Sequence, residues 1–267
     1  KSFYFIDLDV IFNEKGHENI FDVRNWYYAK MRLSLSGFKL IEKVVSQIIE
    51  RTRTVNKKLL ILDCDNTLWS GVLGEDGFDK INIGNDGIGN AFIDFQKEII
   101  RQNKKGILVA ICSKNDEGDV LEVFEKHSSM VLNKSHIVSF KVNWKEKHNN
   151  IREISEELSL DLDSFVFWDD DPLEREKVKN FLPEVEVVEP PLEIEKWPKL
   201  LFENPSFAKI QITTEDKNKG DQYKSREEFI QRKKATKNKG AFLKKIKIKP
   251  KLFDVRSDHI SRAAQLT

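Results

Sequence analysis

Two aspartates, Asp63 and Asp65, stand one residue apart, directly after the apolar run LLIL and before Asn66 and Thr67. Like charges this close at the end of a buried strand cannot all ionise cheaply, and a hard divalent cation with oxygen ligands relieves the repulsion. Mg²⁺ is the natural candidate because it also neutralises phosphate oxygens. One carboxylate is then free to attack phosphorus and form an aspartyl phosphate. A carboxylate two residues on can protonate the leaving group and later deprotonate water.

Three later groups of polar residues also follow apolar, strand-like runs. They are Ser113, Lys114 and Asn115 after LVAIC, Lys145 and Lys147 in NWKEKHNN, and Asp169, Asp170 and Asp171 after FVFW. Ligands of open α/β sheets bind outside the carboxyl ends of the strands, so we expect these groups to meet Asp63 at one edge of one sheet. Carboxylates, a hydroxyl and an ammonium group at one edge are what a magnesium-dependent phosphoryl transfer requires.

The elements that must position these groups alternate along the chain. Apolar runs typical of buried strands, such as KLLILDC, ILVAICS and SFVFWDD, are separated by segments with apolar residues at helical spacing, such as NAFIDFQKEIIRQNKKG. This alternation predicts an α/β domain with a doubly wound parallel sheet. The segment GVLGEDGFDKINIG predicts a hairpin or irregular flap. Because only this flap and one helix separate Thr67 from Ser113, we expect no large cap and a site open to bulky substrates.

The N-terminal run repeats the D-x-D pattern without its partners. KSFYFIDLDVIF predicts a short strand that carries Asp7 and Asp9, and SGFKLIEKVVSQIIERT predicts a helix. No Asn-Thr pair follows, so we interpret Asp7 and Asp9 as structural or turn residues. We expect an N-terminal flanking segment at 1–56, the α/β domain at 57–204 and a distinct C-terminal segment at 205–267.

Composition restricts the classes of protein that fit. Of 267 residues, 39% are hydrophobic, which is enough for a sizeable core. The apolar runs are far shorter than the roughly 20 residues of a membrane span, and the N-terminus lacks the pattern of a signal peptide. Cys64 and Cys112 both lie in strand-like runs, which argues against a disulfide framework. We expect a cytoplasmic protein with no membrane partner, and the two ends of the sequence suggest a piece of a longer chain.

Charge is distributed unevenly along the chain. Residues 205–267 carry 17 Lys and Arg against 7 Asp and Glu, whereas the rest carries 28 against 37. A basic appendage on an acidic core can bind nucleic acid or an anionic partner, or form a solvated helix. The segment has few aromatic residues and no motif that reads nucleic acid, so we expect no nucleic-acid partner. A solvated helix or linker is favoured, and contact with an acidic carrier protein remains open.

The order of the polar groups resembles the four motifs of the haloacid dehalogenase superfamily of phosphotransferases. DCDNT, CSKN, Lys147 and DDDP occur in that order and span the predicted α/β domain. The resemblance implies that Asp63 is the nucleophile and that Asp65 is the general acid/base, with the Asp65 carbonyl on Mg²⁺. Thr67, Ser113 and Lys147 would complete the catalytic set. The implied ligands are Asn66, Thr67, Ser113, Lys114, Asn115 and Lys147 for phosphate, and Asp63, Asp65, Asp169 and Asp170 for the metal.

Longer strings resemble the FkbH-like branch of that superfamily, among them LDCDNTLWSGVLGEDG, NWKEKHNNIREISEELSL and DSFVFWDDDPLERE. That branch is associated with loading a glyceryl unit from a phosphorylated glycerate onto an acyl carrier protein, with phosphate removal, in polyketide and surface-polysaccharide pathways. The resemblance implies a phosphorylated small-molecule substrate and, as a further candidate partner, an acyl carrier protein. It also implies that segments 1–56 and 205–267 are the edges of an SGNH-hydrolase-like region and of an acetyltransferase-like domain.

Some residue roles stay open in the sequence. Lys145 competes with Lys147 for the role of catalytic lysine. Cys112 is either a thiol that accepts an acyl group or, as we favour, a packed core residue. Asp171, which precedes Pro172, is suited to capping a helix.

Other readings of the whole pattern also remain. Trp69, Trp144 and Trp168 lie near the motifs and either wall the site or pack in the core. Receiver domains of phosphorelays gather Asp, Thr and Lys similarly, but their acidic pair comes first, so the order here disfavours them. A module that binds a phosphorylated ligand or carrier protein without turnover is the second hypothesis.

Overall fold

A five-stranded, all-parallel sheet lies at the centre of the protein. The computed structural model describes residues 6–53, 57–84 and 87–207. The strands are β1 (Leu59–Leu62), β2 (Leu108–Ser113), β3 (Ile137–Val142), β4 (Phe165–Trp168) and β5 (Glu186–Val187). Their order in the sheet is β3-β2-β1-β4-β5, and every pair is parallel. The predicted α/β fold with a doubly wound, Rossmann-like sheet is confirmed.

Burial on both faces explains why these runs form strands. Every residue of β1, β2 and β4 is buried, as expected for the inner strands of a parallel sheet. Successive side chains alternate between two separate hydrophobic clusters: Leu60 and Leu62 belong to one, and Leu59 and Ile61 to the other. The sheet is therefore covered by helices on each face.

The helices follow from apolar stripes and local caps. Their bounds are α1 Leu8–Lys15, α2 His17–Ile20, α3 Val23–Ala29, α4 Leu35–Arg53, α5 Leu73–Asp76, α6 Gly87–Lys104, α7 Glu117–Lys126, α8 Lys147–Leu158, α9 Pro172–Phe181 and α10 Trp197–Glu203. Helices α6, α7 and α10 bury their apolar residues in one cluster, and α8 and α9 in the other. Single-turn 3₁₀ helices lie at Lys134–His136, Leu162–Ser164, Ile194–Lys196 and Pro205–Phe207. None of the described helices is long and apolar enough to cross a membrane.

The register of the sheet aligns the strand exits. Leu62 of β1 pairs with Ile111 of β2 on one side and with Trp168 of β4 on the other. The next residue, Asp63, donates its backbone N–H to the carbonyl of Trp168 at 3.1 Å. Strands β1 and β4 therefore end level with each other, and β2 continues to Ser113 beside them. The residues that follow the three strands share one edge of the sheet.

Two local predictions differ from the structure. Residues 8–15 form helix α1 rather than the expected strand, because the Asp7 side chain accepts the N–H of Asp9 at 3.1 Å and caps the helix. Asp7 is thus a structural residue, as expected. The first five residues of that predicted strand lie outside the described part of the chain.

The predicted flap contains a short helix, α5, in place of a hairpin or wholly irregular segment. An antiparallel bridge between Ser70 and Asn82 closes this flap through two backbone hydrogen bonds of 3.1 and 2.8 Å. The described residues between β1 and β2 form the flap and α6, and no separate cap domain. The basic segment lies outside the described residues from 208 onward, and the three domain boundaries stay predictions.

Candidate active site

Three carboxylates converge where β1 and β4 end. Asp63 and Asp169 are buried and Asp170 is partly buried, and one oxygen from each lies within 4.8 Å of the others. Oxygen ligands grouped at this spacing fit a hard divalent cation. Asp63 Oδ1 is buried, and the ammonium of Lys147 lies 2.8 Å from it.

Lys147 places a positive charge among these carboxylates. It is the first residue of α8, and its Nζ lies 2.8 Å from Asp63 Oδ1 and 2.6 Å from Asp169 Oδ2. The competing lysine, Lys145, is exposed and pairs with Glu153 at 2.8 Å, outside the cluster. The structure thus brings Lys147, rather than Lys145, to the carboxylates.

One ammonium group does not balance three carboxylates. Burial, together with the charge of Asp63, raises the pKa of Asp169 to about 7 against the opposing effect of Lys147. Burial and Asp63 likewise raise the pKa of Asp170 to about 6. Burial lowers the pKa of Lys147, but the charges of Asp63 and Asp169 outweigh it and raise that pKa overall. The site is therefore short of positive charge near neutral pH, and the residues present fit a metal cation.

Asp65 is held beside the cluster by three hydrogen bonds. Its Oδ1 accepts from Trp69 Nε1 at 2.9 Å and from the backbone N–H of Leu73 at 3.1 Å. Its Oδ2 accepts from Asn115 Nδ2 at 2.7 Å. Burial nevertheless raises the pKa of Asp65 above its ordinary value, since it outweighs these bonds. A carboxyl group with fixed orientation and raised pKa is suited to general acid catalysis.

The turn after β1 depends on Asn66. This residue adopts a left-handed backbone conformation with φ of 50°, which Asn tolerates better than most residues. Its side-chain oxygen accepts the N–H of Gly71 at 2.9 Å, and so links the turn to the flap. The same turn leaves Asn66 at the cavity and directs Thr67 inward, where it is fully buried.

The cavity above the carboxylates has a volume of about 400 Å³. Its lining residues come from all the predicted strand exits and are Asp63, Asp65, Asn66, Ser113, Lys114, Lys147, Asp170, Asp171, Pro172 and Glu174. Thr67, Asn115 and Asp169 lie behind this surface rather than on it. Thr67 Oγ1 is 3.5 Å from Asp170 Oδ1, and the side-chain amide of Asn115 donates its hydrogen bond to Asp65. These two residues therefore support carboxylates, and their expected contact with phosphate stays a prediction.

Lys114 is already paired in the structure. Its Nζ lies 3.0 Å from Glu146 Oε1 and 3.2 Å from Glu174 Oε1. Lys177 bridges the same two glutamates at 3.2 and 2.9 Å. A lysine held by two carboxylates is a weaker receptor for phosphate than a free one, so its predicted contact with phosphate has to compete with these pairs.

Cys112 and the tryptophans are positioned for packing. Cys112 is fully buried, and burial raises its pKa to about 12, which leaves no accessible thiolate to accept an acyl group. The core interpretation of Cys112 therefore fits. Trp69 and Trp168 are also fully buried, whereas Trp144 is exposed, and none of them lines the cavity. Trp69 also donates a hydrogen bond from its ring N–H to Asp65.

Glu174 lines the cavity, although the sequence motifs did not predict it as a site residue. Asp171 caps α9 by accepting the N–H of Leu173 at 2.8 Å, as its position before Pro172 indicated. The cap fixes the start of α9, so the first turn of this helix, including Glu174, faces the cavity edge. The sequence does indicate Glu174 in one respect: it lies in the first helical turn after the aspartate run, at the same edge of the sheet as the predicted site.

Comparisons with known proteins support a phosphatase-like domain. No protein-family model and no curated protein sequence matches the chain. Among solved structures, it is similar to the crystal structure of the N-terminal part of the protein BF1531 from Bacteroides fragilis, which contains a phosphatase domain complexed with Mg. The two are 38% identical with a TM-score of 0.62, and the match covers 74% of this chain and 53% of that one. This chain thus spans about half the length of that crystallised N-terminal part.

Proposed function

We propose that this chain is a Mg²⁺-dependent phosphatase of the haloacid dehalogenase type. The observation that carries the proposal is the cluster of Asp63, Asp169 and Asp170 around Lys147, with Asp65 fixed beside it. The likeness to a magnesium-bound phosphatase domain supports the same conclusion. Asp63, Asp169 and Asp170 would hold the cation, with the Asp65 carbonyl as a further ligand. When bound, Mg²⁺ supplies positive charge against the phosphate oxygens and the carboxylates.

The chain's own residues account for two chemical steps. In the first, a carboxylate oxygen of Asp63 bonds to phosphorus as the bond to the leaving oxygen breaks, and Asp65 gives that oxygen its proton. In the second, Asp65 takes a proton from water as the water oxygen attacks phosphorus. The bond from Asp63 to phosphorus then breaks and releases inorganic phosphate. Lys147 holds Asp63 in place and offsets its charge, and Ser113, which lines the cavity, would donate a hydrogen bond to the phosphate.

The finer proposal follows the FkbH-like resemblance. The substrate would be a small phosphorylated metabolite similar to phosphorylated glycerate, and phosphate removal could be coupled to acyl loading on a carrier protein in the cytoplasm. The flanks at 1–56 and 205–267 would then belong to neighbouring domains. The described residues form no separate cap over the site, which supports a substrate that is bulky or carried by a protein.

Phosphate release by variants tests the proposal. We expect the full chain to hydrolyse p-nitrophenyl phosphate with Mg²⁺ and not with EDTA. Asp63→Asn should lower kcat by at least roughly 1,000-fold because it removes the nucleophile. Asp7→Asn, in the other D-x-D pair, is the matched control and should keep full activity. Full activity in Asp63→Asn would contradict the mechanism, and ligand binding without turnover by the unaltered chain would favour a binding module.

A further inference from the structure

One end of the cavity holds a carboxylate that the proposed reaction does not use. Glu174 is in the first turn of α9, and its side chain is only 9% exposed. Its Oε1 accepts from Lys114 at 3.2 Å and from Lys177 at 2.9 Å. Its Oε2 is buried and has no hydrogen-bond partner among the residues that the structure describes. A buried carboxylate oxygen without a partner costs free energy, so a ligand that supplies a donor there gains affinity.

The charge state of Glu174 suits an acceptor. Burial raises its pKa, but the hydrogen bonds from Lys177 and Lys114 outweigh burial and lower the pKa overall. The carboxylate is therefore ionised at neutral pH. Hydrogen bonds to an ionised acceptor are stronger than those between neutral groups.

The residues around Glu174 limit the kinds of ligand that fit this part of the cavity. The ammonium of Lys114 is already shared by Glu146 and Glu174, so this end of the cavity offers an acceptor rather than a free cation. Of the residues that line the cavity, Pro172 alone is apolar. Such a lining offers hydrogen-bonding groups to a leaving group that carries hydroxyl groups.

Resting on the proposed function, we propose that Glu174 is a specificity-determining residue whose Oε2 accepts a hydrogen bond from a hydroxyl of the leaving group. The preferred substrates are then phosphate monoesters of small polyhydroxylated molecules. A site built to bond a hydroxyl rejects the analogue that lacks it, because the buried acceptor is left unpaired.

Two esters that differ only in hydroxyl groups test this role. The full chain with Mg²⁺ should show a kcat/KM for glycerol 3-phosphate at least roughly 10-fold above that for propyl phosphate. Glu174→Met, which is similar in size but is a poor acceptor, should reduce that preference by roughly 10- to 100-fold. Glu176→Met, on the exposed side of the same helix, should leave it unchanged. The preference is a ratio from one preparation, so partial unfolding of a variant does not alter it.

The outcomes separate the two proposals. No preference in the unaltered chain, or the same preference in Glu174→Met, would overturn the role of Glu174 while leaving the phosphatase proposal intact. Absence of Mg²⁺-dependent release from both esters and from p-nitrophenyl phosphate would overturn the phosphatase proposal and this inference with it.

Discussion

At the scale of single residues, the site is defined by an imbalance of charge. Lys147 is one buried cation facing Asp63, Asp169 and Asp170. Removing one partner of a buried ion pair leaves a charge without compensation, whereas an exposed pair contributes little. Removing Lys147 should therefore strongly lower the stability of the metal-free protein. Removing the charge of one of the carboxylates should raise it.

Lys147→Met should lower the free energy of unfolding of the metal-free chain by about 3 kcal/mol, because three carboxylates lose their cation. Lys145→Met is the matched control, and its loss should stay below about 0.5 kcal/mol because its pair with Glu153 is exposed. Urea denaturation in EDTA measures both. Equal losses in the two variants would show that Lys147 is not the cation of the cluster.

Asp170→Asn should raise the melting temperature of the metal-free chain, since it removes a carboxyl whose pKa is raised by burial and by the charge of Asp63. It should also abolish the increase in melting temperature that Mg²⁺ gives the unaltered chain, because one of the three candidate ligands is weakened. Asp94→Asn makes the same change of charge on the exposed face of α6 and should keep the magnesium effect. Thermal denaturation with and without Mg²⁺ decides between these results.

The raised pKa values of Asp169, about 7, and Asp170, about 6, give the site a pH dependence. A carboxyl whose pKa is higher in the folded state destabilises the fold above that pKa, and the penalty disappears as pH falls below its unfolded value. Bound Mg²⁺ requires the ionised forms. The rise in melting temperature at a fixed Mg²⁺ concentration should therefore be larger at pH 8 than at pH 5.5. A rise that is the same at both pH values would contradict the assignment of these carboxylates as ligands.

At the scale of elements, the flap between β1 and α6 fixes Asp65. Gly71 lies in this flap and has a φ of 102°. A Cβ at this position would lie 2.8 Å from Asp76 Oδ2. The flap residues Trp69 and Leu73 donate to Asp65, so strain at Gly71 should disturb the proposed general acid as well as stability.

Gly71→Ala should cost about 1–3 kcal/mol of stability and lower kcat more than it raises KM, because Asp65 loses its fixed orientation. Gly74→Ala, in α5, is the matched control: a Cβ there meets nothing within 4 Å. It should leave kcat unchanged. Steady-state kinetics and urea denaturation of both variants provide the measurement. An unaltered kcat in Gly71→Ala would show that the conformation of the flap does not affect catalysis.

At the scale of the whole molecule, the parts predictable from sequence are those set by strong, local patterns. Buried runs that alternate with amphipathic segments predicted the parallel sheet, and the rule that parallel strands share a carboxyl edge predicted that Asp63, Lys147 and Asp169 would meet. The aspartate run before Pro172 predicted the cap of α9. These signals are short in range or follow from topology alone.

The rest depends on contacts between distant segments. The pairing of Lys114 with Glu146 and Glu174 joins residues 32 and 60 positions apart, which no local pattern encodes. The inward direction of Thr67 depends on the left-handed turn at Asn66. Helix α1 replaced an expected strand because a side-chain cap outweighed an apolar run that suits either element.

The central claim is that Asp63 carries the phosphoryl group during turnover. Rapid acid quench of the full chain with substrate and Mg²⁺, followed by borohydride reduction, converts an aspartyl phosphate to homoserine at its position in the chain. We predict homoserine at residue 63 in the unaltered chain, and none after quench without substrate. Turnover that leaves Asp63 intact, or homoserine at another aspartate, would contradict the account.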